Sequence, residues 1–290
     1  MSIKIQPVTL DCAPAIENLR KTYRHQLSSH AFVSLYLWRE QMSLSLYLEK
    51  DVFSAKCGIR GENAWFFPCG DKKKTASFIR EVEKSPKPIL CYLRKEDVEW
   101  LTENFPDEWE IRRLPEGDEY LYDTKGHEQL LGKTYANMRT QVHKVEREYH
   151  PQVRLLDETT KSDALSVVEE WSYGEHKFGT IGIRDDDVDK EAICMQKELG
   201  IKGIVLYLDE KPVAVTAGFL LADDVFDMVI AKSNVTLQGV SYYSKRELFI
   251  RSGCKTVNME EDLGIEGLRR MKQGLKPYAM NEIWEAYARK

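Results

Sequence analysis

The sequence predicts a mixed α/β (α+β) fold in which two similar units follow one another along the chain. Three observations predict it. The chain has 290 residues, which at roughly 100–200 residues per domain makes about two domains. Short runs rich in β-formers alternate with longer segments whose apolar residues recur every three or four positions. Each half also repeats one order of elements: a strand meander, then helix, strand, helix, strand. With 42% hydrophobic residues the chain buries a sizeable core, which excludes intrinsic disorder.

The elements follow in order. Asp11 is placed to cap a helix running to about residue 25, with Ile16, Leu19 and Tyr23 on its inner face. Ser29 is placed to cap a second helix through FVSLYLW. LSLYLE, VFSAKCGI and AWFFPCG read as strands, and Arg60-Gly61-Glu62-Asn63 between the last two is a hairpin signal. Residues 75–84 read as a helix, PILCYL as a strand, 95 to about 104 as a helix and WEIRRL as a strand.

From His127 to Tyr149, Leu131, Tyr135, Met138, Val142 and Val145 recur at helical spacing, which predicts one amphipathic helix stopped by Pro151. Two helices follow at 160–172 and 187–199, the second ended by Gly200. GIVLYLD, VAVTAGFLL and VFDMVIAK make a three-stranded antiparallel meander. A helix at about 240–252, the strand TVNMEED, the helix LGIEGLRRMKQGL closed by Pro277 and a final strand AMNEIWEAYAR complete the chain. The units are expected as 1–126 and 127–290.

Lys and Arg total 42 and Asp and Glu 47, a net −5. That balance excludes a protein that coats nucleic acid or anionic membrane with its whole surface, though not one with a local basic patch. Apolar runs fall short of the ~20 residues of a membrane-spanning helix, and the start does not read as a signal peptide. A cytoplasmic location is expected. The six cysteines include no C-x-x-C pair and read as buried reduced thiols, with no metal site among them.

Three segments carry a more specific resemblance. They are Tyr120-x-Tyr122 with Leu131-Gly132-Lys133-x-Tyr135-x-x-x-Arg139; Ala231-Lys232-x-Asn234 through Gly239-Val240; and Asn258-Met259-Glu260-Glu261-Asp262-Leu263-Gly264-Ile265-Glu266-Gly267-Leu268-Arg269-Arg270-Met271-Lys272. In that order they resemble the phosphatidylglycerol lysyltransferase C-terminal-domain-like family, and the element order resembles two tandem GNAT acyltransferase units. The resemblance implies that fold and a transferase activity. Its membrane-anchored members move an amino acid from charged tRNA to a lipid head group. The more distant Fem-type peptidyltransferases carry a Lys on a late helix, for which Lys272 is the counterpart. Met138, Thr140, Met259 and Gly274 depart from the family pattern.

Acyl transfer needs a held donor, a deprotonated nucleophile and a partner for the developing oxyanion. In GNAT enzymes the donor's pyrophosphate meets a loop and helix N-terminus. Here that segment runs from Asn234 through Gln238 and Gly239 to Ser241, the candidate CoA site. Its partial phosphate-loop pattern also fits an ordinary turn. Glu260 and Glu261 are candidate bases, crowded by Asp262, although acids at a helix start also serve as caps. Arg269 and Lys272 share a helix face and are candidates for meeting the oxyanion, with a solvated face as the plain reading.

Lys133, Tyr135, Arg139 and Lys144 are candidate contacts to phosphate or substrate. With Arg147, four cations face one acid, Glu146, between residues 133 and 147, which suits tRNA backbone as well as an ordinary helix face. The acidic run 185–191 reads as a solvated cap, or as a grip on a cationic substrate. Three functions stay open: an aminoacyl-tRNA-dependent transferase acting on a soluble, lipid or peptide acceptor, a CoA-dependent N-acyltransferase, and a non-catalytic GNAT-like binding module. The site is expected in the C-terminal unit, facing a cleft between the units, and the internal duplication fits a monomer.

Overall fold

Contacts divide the chain into one unit of Met1–Glu119 with Asn281–Lys290 and a second of Tyr120–Met280. The computed structural model describes residues 3–173 and 185–289. The first unit contains α1 (Ala13–Thr22), α2 (Phe32–Leu37), β1 (Leu44–Glu49), β2 (Val52–Cys57), β3 (Ala64–Phe66), β4 (Cys69–Gly70), α3 (Lys72–Val82), β5 (Ile89–Leu93), α4 (Lys95–Asn104), β6 (Trp109–Arg113) and β14 (Trp284–Ala288). Its sheet has the order β1-β2-β3-β5-β14-β6, with β4 on β2. Trp65, Phe67, Phe78, Leu90, Leu101 and Trp109 fill its core.

Two expected caps are absent. A 3-10 turn over Leu10–Cys12 takes up Asp11, so α1 starts at Ala13. The α2 helix begins at Phe32 behind Ala31, without a side-chain cap from Ser29.

The second unit contains β7 (Glu119–Asp123), α5 (Thr124–Gln129), α6 (Ala136–Tyr149), β8 (Gln152–Leu155), α7 (Lys161–Tyr173), α8 (Asp185–Cys194), β9 (Lys202–Leu208), β10 (Lys211–Ala222), β11 (Val225–Ser233), α9 (Val240–Ser252), β12 (Thr256–Asn258), α10 (Glu266–Gly274) and β13 (Ala279–Asn281). Its sheet runs β13-β7-β12-β11-β10-β9-β8. The β9–β10–β11 meander is antiparallel, as its alternation predicts. Tyr122, Val142, Val145, Leu206, Phe226 and Phe249 lie in the core beneath α6 and α9.

Two expectations are corrected. The helix expected from 127 to 149 is broken: Leu130 is left-handed and ends α5, Gly132 has φ +74°, and α6 starts at Ala136. Leu131, expected on the inner face, is 69% exposed, while Met138, Val142 and Val145 are buried as expected. The expected final strand is also two strands in two sheets. Asp118 accepts the Ile283 amide at 2.9 Å and Glu119 accepts Asn281 Nδ2 at 2.8 Å. These bonds tie down the turn, and β14 then enters between β5 and β6, antiparallel to both. The last residues therefore belong with the first unit, unlike the expected division at 126/127.

One feature of the second sheet positions the site. β12 pairs in parallel with β11 only from Val225↔Thr256 to Asp227↔Asn258. Beyond Asp227, among the described residues, β11 continues to Ser233 on β10 alone, so the two paired strands part between β11 and the loop after β12. Five cysteines are buried and Cys194 is exposed. Among the described residues no helix is long and apolar enough to cross a membrane.

Candidate active site

The loop after β12 is built around Asp262. Its buried carboxylate accepts Tyr120 Oη at 2.6 Å, the Gly264 amide at 2.8 Å, and Arg269 Nε and Nη2 at 2.8 and 3.0 Å. Burial works to raise this carboxyl, but the bonds from Arg269, Tyr120 and Gly264 hold it below its ordinary value. Glu260 sits at φ +55°, and its amide donates to Asn258 Oδ1 at 2.8 Å. These ties turn two loop carbonyls, Met259 O and Glu261 O, onto Lys272 Nζ, which donates to both.

Lys272 is thus an α10 side chain only 5% exposed. Its ammonium also lies 5.7 Å from the Tyr120 ring centroid, and Tyr122 Oη fixes its backbone carbonyl at 2.8 Å. Burial lowers its pKa, while Glu261, Glu260, Asp262 and Asp227 act in the opposite sense. The arrangement is a buried cation with acids beside it, able to meet an oxyanion or steady an acceptor group. Arg269 is committed to Asp262, which raises its pKa further. Its role here is to hold the loop.

Two lysines not among the expected site residues, one of them within the Ala231-Lys232-x-Asn234 segment, complete this region. Lys232, near the end of β11, is buried. It pairs with Asp185 at 2.6 Å and Asp189 at 3.2 Å, and lies 3.7 Å from the Trp171 ring centroid. Burial lowers its pKa but Asp189 and Asp185 outweigh that, and Asp189 itself is pushed up to about 7 by burial. The acidic run is therefore only in part a solvated helix start: Asp187 is exposed, while Asp189 is buried against Lys232. Residues 185–191 form the first turns of α8, and two of their acids, Asp185 and Asp189, pair with the chain's own Lys232.

The second missed residue is Lys245, on α9 and 4% exposed. Its Nζ lies 2.6 Å from Ser241 Oγ and 3.1 Å from Ser241 O. Burial, with Lys232 and Lys272 nearby, brings its pKa down to about 8. The signal that could have found both lysines is their position on apolar faces, within VFDMVIAK and at a core-facing step of α9.

The candidate CoA loop has a structural explanation of its own. Asn234 Oδ1 accepts the Thr236 amide at 3.0 Å and Thr236 Oγ1 at 2.7 Å, closing a local turn. Gln238 Oε1 is held by Lys144 Nζ at 2.6 Å. Gly239 has φ +88°, and a Cβ there would stand 3.0 Å from Val145 Cγ2 and 3.3 Å from Gln141 O. The left-handed conformation and the close approach of α6 require this glycine without any phosphate.

The basic helix is similarly engaged. Arg139 donates to Leu130 O and Gly132 O, stapling the break before α6. Lys144 and Arg147 both pair with Glu148, Tyr135 packs edge-on against His127, and Lys133 is exposed. Met138, one of the departures from the family pattern, is a core residue.

These two sheets with their packed helices define a mixed α/β protein. The chain belongs to the family described as phosphatidylglycerol lysyltransferase, C-terminal, which it matches over residues 20–287. Among solved structures it resembles a conserved protein of unknown function from Bacteroides thetaiotaomicron, at 21% identity and TM-score 0.89 over 99% of this chain and 100% of that one. L-PGS from Bacillus licheniformis superposes with TM-score 0.67 at 15% identity, over 95% of this chain and 91% of the other. The C-terminal domain of a putative lysylphosphatidylglycerol synthetase from Agrobacterium fabrum gives 0.66 at 13%, over 96% and 92%. At these identities the likeness is one of fold. No curated protein matches the chain.

Proposed function

We propose that the chain is an aminoacyl transferase that moves an aminoacyl group from charged tRNA to an amine or hydroxyl acceptor. Family and fold are those of a GNAT-like transferase related to lysylphosphatidylglycerol synthase. One observation carries the finer reading: Lys272 is a buried ammonium held by Met259 O and Glu261 O beside the opening between β11 and the loop after β12. An ammonium has three N–H donors, and two are used on these carbonyls. Among the described residues no hydrogen-bond acceptor takes the third, which can meet an acyl oxygen as negative charge develops on it. Glu260 and Glu261 lie next to it as candidates to orient or deprotonate the acceptor.

The CoA reading is weakened by the loop at Gly239, whose glycine and glutamine are both accounted for by α6. The opened strand pair is common to either donor. Lysine and phosphatidylglycerol are the first group and acceptor to try, because the family description names them.

The deciding experiment offers the protein radiolabelled lysyl-tRNA or acetyl-CoA, with phosphatidylglycerol vesicles, small amines and peptides as acceptors. Transfer from tRNA that weakens as salt rises is expected. Transfer from acetyl-CoA alone would replace this reading with the CoA-dependent one. Transfer from neither donor would leave a GNAT-like binding module.

A further inference from the structure

We propose that Ser241 is a nucleophile that carries the acyl group covalently, with Lys245 as its general base. The two residues sit one turn apart on α9, with Nζ and Oγ 2.6 Å from each other. Ser241 is half-buried and Lys245 is buried, so the hydroxyl is the outer member of the pair.

What singles out this lysine is that, among the described residues, it has no counter-ion. Lys232, facing it from β11, is matched by Asp185 and Asp189 of α8. Lys272, facing it from α10, is matched by Glu260, Glu261 and Asp262. Among the described residues no carboxylate pairs with Lys245, whose polar contacts are the hydroxyl and carbonyl of Ser241. A buried amine that feels two other cations and has no acid paired with it loses its proton readily; here burial first, then Lys232 and Lys272, bring the pKa down to about 8. Its neutral form can accept the Ser241 proton. Ser241 is also the second residue of α9, where first-turn N–H groups lack intrahelical partners and the helix end favours negative charge.

The step balances without a further reagent. The Ser241 hydroxyl proton moves to neutral Lys245 as Oγ bonds to the carbonyl carbon of an acyl ester. The tetrahedral adduct collapses, the bond from the acyl carbon to the donor's oxygen breaks, and that oxygen takes the proton back from Lys245. An amine or hydroxyl acceptor then releases the acyl group from Ser241 by the same sequence. The acyl ester and its acceptor rest on the transferase reading above; the nucleophilic pair does not.

The test is labelling with an alkyl fluorophosphonate, read by intact mass and peptide mapping, between about pH 7 and about pH 9. One adduct on Ser241 is expected, forming faster as pH rises through about 8. It should be absent in Ser241→Ala and roughly a hundredfold slower in Lys245→Met. No adduct at the alkaline end, an adduct that persists in Ser241→Ala, or a labelling rate in the wild type independent of pH would overturn the pair. The pH profile needs no variant, so it decides even if Lys245→Met does not fold. Transfer from lysyl-tRNA separates the two readings. Full transfer by Ser241→Ala sinks the covalent step and leaves the transferase; labelling with no transfer by the wild type does the reverse.

Discussion

Tyr120 and Asp262, far apart in sequence, share a 2.6 Å hydrogen bond from phenol to carboxylate, and the same tyrosine's backbone pairs with Met259 and Glu260. β7 thereby sets the loop that presents two carbonyls to Lys272. Burial and the bond to Asp262 push the Tyr120 phenol up to about 12, so it stays a donor throughout the neutral range. Tyr120→Phe is expected to cost about 1–2 kcal/mol, read by urea unfolding. It is also expected to reduce transfer, because the loop loses one of the ties that aim Met259 O and Glu261 O.

Lys272→Ala removes the donor shared by those carbonyls. Transfer is expected to fall at least a hundredfold, with a loss of about 1–3 kcal/mol as two buried carbonyls lose their partner. Circular dichroism and a thermal melt should find the variant folded. Wild-type turnover in this variant would remove Lys272 from the mechanism.

Buried histidines should make both units sensitive to acid. Burial lowers His127 from 6.5 to about 4 and His30 from 6.5 to about 3. His25, whose ring centroid lies 3.9 Å from that of His30, is lowered well below 6.5, also by burial. The unfolded chain then binds protons first. Stability is full above pH 6.5 and declines as pH falls, until the folded-state values of about 3 and 4 are passed. For His127 the decline amounts to about 3 kcal/mol. Urea midpoints measured across this range should fall with pH, and His127→Gln should flatten part of the slope.

Gly239→Ala places a Cβ at φ +88° and 3.0 Å from Val145 Cγ2. A loss of about 1–2 kcal/mol in a denaturant melt is expected. If the glycine serves α6 packing, the loss appears with no donor present, and affinity for CoA is not what changes.

Local pattern made much of the fold legible. The β9–β10–β11 meander, α9 and the buried stripe of α6 follow from alternation and helical spacing, which the chain carries in its neighbours. The break at Leu130 was not legible, because Leu131 sits on the helical stripe and only left-handed backbone at Leu130 and Gly132 turns it outward. The path of the last strand was equally hidden: β14 reads like any strand, and the bonds at Asp118 and Glu119 send it into the first sheet.

The sequence by itself determined the fold class and the family, because those rest on order and spacing along the chain. Tertiary structure decided which charges are buried and which are paired at the surface. Arg269, Lys144 and Arg139 look alike as cations in sequence but are bound by Asp262, Gln238 and loop carbonyls. Lys232, Lys245 and Lys272 come from three separate elements and share one region. The physical reason is that a charge acquires its chemistry from burial and counter-ions, and both depend on residues distant along the chain.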